Sequence, residues 1–316
     1  MPFHRYSCRL LILVAALALV TAQVLAESQP DLALDNTMDT LVTTEWLSQH
    51  LDDADLVVLD CTVLMQPDDS CGFRSVCGRA NYESGHIPTA GFADLMGALC
   101  DVDSPLNHTL PTPKQFCAAM GALGVGDDSR VVLYDGNYSV WAARVWWMLR
   151  WVGFDRAAVL DGGLGAWTAE GRLLSTELAN HQTKQLTPIP RPALIADREE
   201  VLAAINDDAV LLMDTMPEPH FQGEMALYAR PGHIPSASNV SAMALLDESG
   251  RYRPRDDLAA LFATDRDARV ITYCGAGIAA SSNAFIMSRL GFTNVAVYIA
   301  SLQEWAADPA NPLVVD

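Results

Sequence analysis

The sequence contains one pattern twice, and this internal repeat limits the possible folds more than any other feature. The first copy reads LVVLDC at 56–61, GHIP at 85–88, RVVLYD at 130–135 and LDGGLGAW at 160–167. The second copy reads AVLLMDT at 209–215, GHIP at 232–235, RVITYC at 269–274 and YIASLQEW at 298–305. Self-similarity on this scale predicts one folding unit used twice.

Each copy has the features of a parallel α/β unit. Apolar, β-branched runs end at Asp60 and Asp214, and a second pair of runs ends at Tyr134 and Tyr273. Such runs are typical of strands that are buried on both faces of a sheet. A helical stretch follows the second run in each copy and ends at a glycine, Gly153 or Gly291, as helix C-caps commonly do. The alternation predicts an α/β fold with a mostly parallel sheet in each copy, flanked by helices.

The length of 316 residues accommodates two such domains. Basic residues precede an apolar run near the N-terminus, and Val24 and Ala26 form a small-x-small cleavage pattern, so residues 1–26 are predicted to be a signal peptide. We therefore expect a periplasmic or secreted protein. The predicted domains span 36–175 and 193–316, and the polar, proline-punctuated stretch 176–192 is the predicted linker.

The charge balance excludes some classes of partner. The chain has 20 Lys and Arg against 39 Asp and Glu, a formal net charge of −19 at pH 7. A strongly acidic surface disfavours nucleic acids and anionic membranes, so we expect no nucleic-acid partner and no stable membrane partner. An anionic substrate would need a local positive field.

Cysteines are concentrated in the first copy. In an oxidising compartment they would be able to form disulfides, with Cys71 and Cys77 the easiest pair, although sequence does not fix the connectivity. The cysteines concerned are Cys61, Cys71, Cys77, Cys100 and Cys117. Cys274 stands alone in the second copy. No C-x-x-C motif is present, and the histidines and cysteines do not cluster at metal-ligand spacing, so we expect neither disulfide-exchange chemistry nor a metal.

Cys274 lies where a reactive thiol is expected. It follows a strand and precedes Gly275, Ala276, Gly277 and a helix start, and open α/β sheets place their reactive crevice beyond the carboxyl ends of the strands. Successive N–H groups from Gly275 to Ala279 would form an anion-binding nest that stabilises a thiolate. The alternative is an inert, buried cysteine. In the first copy, Asp135 occupies the equivalent position.

The paired GHIP motifs, LDGGLGAW and YCGAGIAAS together resemble the rhodanese family, specifically tandem-domain thiosulfate and 3-mercaptopyruvate sulfurtransferases. The resemblance covers nearly the whole chain after the predicted signal. It implies two tandem rhodanese-like domains, of which the first is non-catalytic and carries Asp135 at the nucleophile position. It further implies that Cys274 accepts sulfane sulfur from thiosulfate or 3-mercaptopyruvate as a persulfide and passes it to a thiol or cyanide, with no metal or organic cofactor.

The resemblance also implies a set of substrate-binding residues, and several of these depart from the family pattern. They are the loop residues Gly275, Ala276, Gly277, Ile278 and Ala279, together with His220 and Arg230. Ala276 stands where mercaptopyruvate enzymes tend to have serine, and no basic residue follows the cysteine as in thiosulfate enzymes. His220 replaces a donor-binding arginine, and Arg230 is the nearest match to a second. In the late motif, Ile299 and Ala300 replace the Asp-Gly of the first copy, which leaves the turn there undefined.

Two other functions remain to be weighed against sulfur transfer. A phosphatase of the same fold would need arginine at the sixth position after the cysteine, where this chain has Ala280. A non-catalytic binding module or protein persulfide carrier is favoured if the substitutions at His220 and Ala276 have degraded the donor site. Catalytic turnover with a small-molecule sulfur donor would distinguish an enzyme from a binding module or persulfide carrier. The histidines of the two GHIP motifs, His86 and His233, are expected to hold loops rather than transfer protons.

Overall fold

The computed structural model describes residues 38–68, 72–136 and 138–315. The predicted signal peptide and Cys71 lie outside the described residues. From Met38 onward the chain forms one compact unit in which both copies of the repeat take part.

The first copy forms a five-stranded parallel sheet. Its strands are β1 (Leu41–Val42), β2 (Leu56–Asp60), β5 (Gly91–Phe92), β6 (Arg130–Tyr134) and β7 (Ala157–Leu160), in the order β1-β7-β6-β2-β5. An antiparallel hairpin of β3 (Val63–Asp68) and β4 (Gly72–Cys77) lies outside this sheet. The hairpin was not predicted, because nothing in the second copy corresponds to it.

The second copy repeats the same sheet. Its strands are β8 (Ile195–Ala196), β9 (Val210–Asp214), β10 (Ser238–Asn239), β11 (Arg269–Tyr273) and β12 (Val295–Tyr298), in the order β8-β12-β11-β9-β10. All the pairings are again parallel. Matched element by element, the two sheets have the same strand order, which confirms the predicted tandem α/β architecture.

Ten helices are described, five in each copy. Those of the first are α1 (Thr44–His50), α2 (Arg79–Ser84), α3 (Pro113–Ala122), α4 (Val140–Trp151) and α5 (Gly163–Ala169). Those of the second are α6 (Arg198–Ala204), α7 (Glu218–Phe221), α8 (Arg255–Leu261), α9 (Ile278–Arg289) and α10 (Ser301–Trp305). Short 3₁₀ turns lie at Pro192–Leu194 and Ala242–Leu245. Among the described residues, no helix has the length and apolar character needed to cross a bilayer.

Helices α4 and α9 pack against each other between the two sheets. Nearly every residue of α4 is buried, including four consecutive positions from Val145 to Met148, because one side of the helix covers its own sheet and the other contacts the second copy. The rings of Trp146 and Phe285 meet edge to face, with centroids 4.8 Å apart. Both helices end before a glycine of positive φ, Gly153 (92°) and Gly291 (93°), as the C-cap argument predicts. The helix that follows the turn at Asp135 or at Cys274 therefore has a fixed end and a fixed neighbour.

The GHIP histidines have structural roles, as expected. His86 is fully buried and its Nδ1 lies 2.7 Å from the Tyr82 carbonyl oxygen. His233 stacks on Phe221 at a centroid distance of 3.7 Å, and its Nδ1 lies 2.8 Å from the carbonyl oxygen of the same residue. Each motif is also tied to a distant segment by backbone bridges, His86 to Ser175 and His233 to Val314.

The predicted disulfides are not found among the described cysteines. Cys61, Cys77, Cys100, Cys117 and Cys274 are all free thiols. Cys61 and Cys117 are buried in the core, where desolvation raises the pKa of both thiols. The Sγ of Cys77 faces the Asp94 carboxylate, and that of Cys100 faces the Gly97 carbonyl. A pairing of Cys77 with Cys71 stays a prediction.

Candidate active site

Cys274 follows directly from β11, the central strand of the second sheet, and is only 2% exposed. Two backbone contacts fix its loop against the start of α10. The Leu302 N–H donates to the Cys274 carbonyl and the Gln303 N–H donates to the Gly275 carbonyl, both at 3.0 Å. The thiol is therefore presented at the carboxyl edge of the sheet, as the sequence predicts, by a backbone with little freedom.

Ser301 resolves the turn that Ile299 and Ala300 had left undefined. Ser301 adopts a φ of 52°, and its Oγ accepts the Cys274 N–H at 3.1 Å while donating to the Tyr298 carbonyl at 2.6 Å. The equivalent residue in the first copy, Gly163, has a φ of 53°, and a Cβ there would overlap the Asp135 carbonyl. The second copy thus keeps the backbone turn without the glycine and uses the added hydroxyl to hold Cys274. Aligning Ser301 with Gly163 was the signal that could have identified it.

The two glycines after Cys274 are required for different reasons. Gly277 is the N-cap of α9 with a φ of 74°, and a Cβ there would lie 2.7 Å from the Ile299 carbonyl oxygen. At Gly275 the backbone is not left-handed, but a Cβ would overlap the hydroxyl of Tyr228. The first glycine makes room for a side chain above the loop, and the second permits the turn itself.

Tyr228 is a site residue that the sequence reasoning missed. Its ring covers Gly275, and a Cβ at Gly275 would lie 2.9 Å from the ring carbon Cε2. Burial, together with the negative charge of an ionised Cys274, raises the pKa of the Tyr228 hydroxyl. The phenol is therefore a neutral hydrogen-bond donor at physiological pH, held over the loop that carries the thiol.

The first copy shows what this type of turn binds. There the Asp135 carboxylate accepts N–H bonds from Ser139 at 3.1 Å, Trp141 at 3.0 Å and Ala142 at 2.9 Å. These donors belong to the first turn of α4, whose N–H groups have no acceptor within the helix. An anion at the strand end is thus held by a helix N-terminus, as the sequence argument proposed for the second copy.

The same donors have counterparts around Cys274. The left-handed N-cap is Ser139 in the first copy and Gly277 in the second, so the positions matching Trp141 and Ala142 are Ala279 and Ala280. Among the predicted loop residues, Ala276 and Ala279 are partly exposed, whereas Ile278 is buried. A negative charge on Cys274 would therefore face the open first turn of α9.

A second unpredicted residue, Arg144, comes from the first copy. It lies on α4 and is 1% exposed, yet its Nη1 is 3.4 Å from the Gly277 carbonyl oxygen. Nη2 donates to the His108 carbonyl at 2.9 Å. No local motif indicates this residue, because the contact depends on how α4 and α9 pack.

Arg230 has a different environment from the one predicted. Its guanidinium donates four hydrogen bonds to backbone carbonyls, those of Trp305, Ala306, Asp308 and Asn311, at 2.7–3.1 Å. Four of its five N–H groups are thereby committed to the chain segment that follows α10. This arrangement favours a structural role for Arg230 over the predicted role in binding the donor anion.

His220, the other predicted donor-binding residue, lies on α7 and is partly exposed. Its Nδ1 is 3.2 Å from the Met225 carbonyl oxygen, so this nitrogen carries the hydrogen and Nε2 is left for other partners. The contact ties α7 to the loop that leads to Tyr228. The assignment of His220 as a substrate contact stays a prediction.

Asp214, the strand-end acid of β9, lies beside the site in the sheet as the register partner of Tyr273. It is fully buried, and its Oδ1 accepts the Met216 N–H at 2.8 Å. Desolvation raises its pKa to about 7, with the Met216 amide acting in the opposite direction. Asp214 therefore holds a proton well above the pH at which an exposed aspartate ionises.

A crevice of about 460 Å³ adjoins the site at the ends of β8 and β12. Thr109 and Leu110 of the first copy form one wall, and Ile299, which also lines the crevice, lies against Gly277 of the Cys274 loop. Its rim carries more carboxylates than cations, with Asp197, Glu199 and Glu304 against Arg198. Within the described ranges, no three His, Cys, Asp or Glu side chains are placed to hold a metal ion.

Comparison with known proteins agrees with this architecture. The model of the rhodanese-like domain matches the chain twice, over residues 43–170 and 197–308. The chain belongs to the rhodanese family. The two matches cover every strand of both sheets except the short β1 and β8, and they include both Asp135 and Cys274.

The curated relatives of this rhodanese are named as sulfurtransferases. The chain aligns with most of the length of each of them. The chain is 34% identical to a probable 3-mercaptopyruvate sulfurtransferase of Pseudomonas aeruginosa, over 86% of this chain and 97% of the relative. It is 32% identical to thiosulfate/3-mercaptopyruvate sulfurtransferase 2 of Arabidopsis thaliana, over 92% and 90%. The crystal structure of SseA from Escherichia coli, described with the rhodanese fold of 3-mercaptopyruvate sulfotransferases, superposes with a TM-score of 0.73 at 31% identity, covering 84% and 99%. The predicted enzyme class, a sulfurtransferase, is confirmed.

Proposed function

We propose that this rhodanese transfers sulfane sulfur from a small anionic donor to a thiol or cyanide through a persulfide on Cys274. One observation carries the proposal. The turn at Cys274 is one residue shorter than the turn at Asp135 but leads to the same left-handed N-cap, and the Asp135 carboxylate accepts N–H groups that include those of Ser139, Trp141 and Ala142. A sulfur at that place gains the same stabilisation when it is ionised, both as a thiolate and as a persulfide anion.

Charge in the site favours 3-mercaptopyruvate over thiosulfate as the donor. The residues that follow Cys274 are uncharged, Arg230 is bound to backbone carbonyls, and Arg144 is buried behind the loop. A thiosulfate dianion would need more compensating positive charge than the single carboxylate of 3-mercaptopyruvate. The names of the Pseudomonas and Escherichia coli relatives point to the same donor.

The half-reactions balance without a cofactor. The Cys274 thiolate attacks the sulfur of 3-mercaptopyruvate, an S–S bond forms, and the C–S bond breaks with its electron pair going to carbon. The resulting enolate takes up a proton and leaves as pyruvate. An acceptor thiolate or cyanide then attacks the outer sulfur of the persulfide, and the Cys274 thiolate is regenerated.

Tyr228 is placed to assist the first half-reaction. Its neutral hydroxyl lies over Gly275, the residue that follows the attacking cysteine, and the neighbouring Ala276 replaces the family's serine. A phenol in this position can donate a hydrogen bond to the carboxylate or enolate oxygen of the donor. Tyr228→Phe is expected to raise KM for 3-mercaptopyruvate and to leave the cysteine reactive.

The experiment compares the protein with Cys274→Ser and with Cys100→Ser as a matched control. Each is incubated with 3-mercaptopyruvate or thiosulfate, and the intact mass is recorded before cyanide is added and thiocyanate measured. The proposal expects the mass of one added sulfur atom and thiocyanate formation in the wild type and Cys100→Ser, neither in Cys274→Ser, and higher kcat/KM with 3-mercaptopyruvate. An unchanged mass and no thiocyanate with either donor would favour a binding module or a carrier loaded by another protein.

A further inference from the structure

Arg144 belongs to the first copy, but its side chain contacts the turn after Cys274 in the second copy. Its side chain leaves α4 and ends beneath the turn that follows Cys274, where Nη1 would lie 3.2 Å from a Cβ placed on Gly277. The Gly277 carbonyl accepts from Arg144 Nη1 at 3.4 Å and from Ser281 Oγ at 2.7 Å. The left-handed N-cap of α9 is thus held from both repeats.

The charge of this arginine is not neutralised by an acid. None of the described carboxylates forms an ion pair with Arg144, and within the same residues its buried Nε–H has no acceptor. Its two hydrogen bonds go to neutral carbonyls. A buried cation without a counter-charge is costly, so its retention points to an anion that is present in another state of the protein.

The anion that the proposed chemistry creates at this place is the sulfur of Cys274. Burial lowers the pKa of Arg144 to about 10, and negative charges on Cys274 and Cys100 act in the opposite direction. The guanidinium therefore remains charged at neutral pH and lies within electrostatic reach of the thiolate. At such burial the attraction between opposite charges is only weakly screened by solvent.

The repeat itself provides a comparison. Arg144 is the fifth residue after the N-cap Ser139, and the fifth residue after Gly277 is Ser282. The Ser282 hydroxyl contacts the Tyr252 hydroxyl at 3.1 Å and supplies no charge to the first copy. There the fixed carboxylate of Asp135 is satisfied by backbone amides. The two repeats therefore differ at this helix position. The first copy supplies a buried cation near the Cys274 turn of the second, whereas at the matching position the second copy supplies no charge to the Asp135 turn of the first.

We propose that Arg144 is a positioning residue of the active site, contributed by the non-catalytic repeat, which holds the Gly277 carbonyl and supplies positive charge to the Cys274 thiolate and persulfide. The inference rests on the proposed function for its persulfide part. Its thiolate part concerns the free enzyme and is measurable without any sulfur donor.

The test is the pH–rate profile of Cys274 alkylation by iodoacetamide, followed by mass spectrometry of the peptide that contains Cys274. Arg144→Met is expected to react about tenfold more slowly at pH 7 and to move the profile midpoint up by about one pH unit. Arg144→Lys, which keeps the charge, is expected to keep the midpoint of the wild type. Arg150→Met is the matched control, since Arg150 lies on the same helix, is partly buried and pairs with Asp155.

Two results would overturn the inference. One is an Arg144→Met profile that coincides with that of the wild type, and the other is an Arg144→Lys midpoint that moves by a full unit. If the methionine variant does not fold, Arg144→Gln, which removes the charge but keeps a polar side chain, takes its place in the same measurement. Failure of sulfur turnover in the wild type would refute the proposed function and leave this measurement standing, because alkylation needs no donor.

Discussion

A methyl group at Gly275 tests how closely Tyr228 covers the active-site loop. The backbone at Gly275 is not left-handed, so alanine is sterically allowed there and the cost comes from Tyr228 alone. The new Cβ would overlap the hydroxyl and would lie 2.7 Å from Cζ and 2.9 Å from Cε2. Overpacking of this kind costs about 2 kcal/mol, which lowers Tm by roughly 3 °C in a protein of this size.

Substitutions of Tyr228 in the Gly275→Ala background should restore the melting temperature by graded amounts. Tyr228→Phe removes the worst overlap but leaves both ring contacts, so the double variant with Gly275→Ala should recover part of the lost Tm. Tyr228→Leu removes the ring, and the corresponding double variant should recover nearly all of it, with a coupling free energy of about 1–2 kcal/mol. Thermal unfolding of the wild type, the single variants and the double variants completes a double-mutant cycle and gives this coupling free energy.

Gly165→Ala is the matched control for this cycle. No atom lies within 4 Å of a Cβ at Gly165, which is inside α5 and has no positive φ, so alanine there should be neutral or stabilising. The reasoning would be refuted if Gly275→Ala had the Tm of the wild type, or if its effect were the same with tyrosine and leucine at 228.

Three further changes probe neighbouring parts of the site. Gly277→Ala combines a φ of 74° with backbone contacts of 2.7 and 2.9 Å to Ile299, so it should cost about 3 kcal/mol or more in a denaturant titration, with no rescue from Tyr228 variants. Asp214 keeps its proton to about pH 7 in the folded chain but loses it near pH 4 when unfolded, so its ionisation lowers stability as pH rises through this window. Asp214→Asn should thus gain up to about 4 kcal/mol over wild type at pH 8 and little at pH 4, by urea unfolding; equal gains at both pH values would contradict this. Arg230→Met should lower stability by about 2–4 kcal/mol through its lost carbonyl contacts, whereas an unchanged Tm with a raised KM for the donor would support the predicted anion-binding role.

The features that follow from local sequence were the ones that could be predicted. Two apolar strands, a glycine-rich turn and a helix occur in each copy within short stretches, and the matched intervals required the same order in both sheets. Cys274 could be predicted as the nucleophile because the expected chemistry depends on a turn whose residues are contiguous in the sequence.

The residues that were missed reach the site from elsewhere in the chain. Tyr228 enters from the loop after α7, and Arg144 enters from the other repeat. Arg230 was assigned to the donor because of its place near a motif, but the fold brings four carbonyls of the C-terminal segment around it. A side chain of high hydrogen-bonding capacity goes to whichever acceptors surround it, and these are set by tertiary packing.

The first copy contributes contacts to the candidate active site of the second copy. Beyond Arg144, its Asn107 exchanges two hydrogen bonds with the side chain of Gln303, at 2.9 and 3.0 Å, and the Gln303 N–H holds the Gly275 carbonyl. The residue equivalent to Gln303 in the first copy is Gly165, which contacts nothing through a side chain. Each asymmetry between the repeats, arginine against serine and glutamine against glycine, places support at the turn that bears Cys274. Because these contacts cross between the copies, the turn geometry that we propose to stabilise a sulfur anion depends on both of them being folded together.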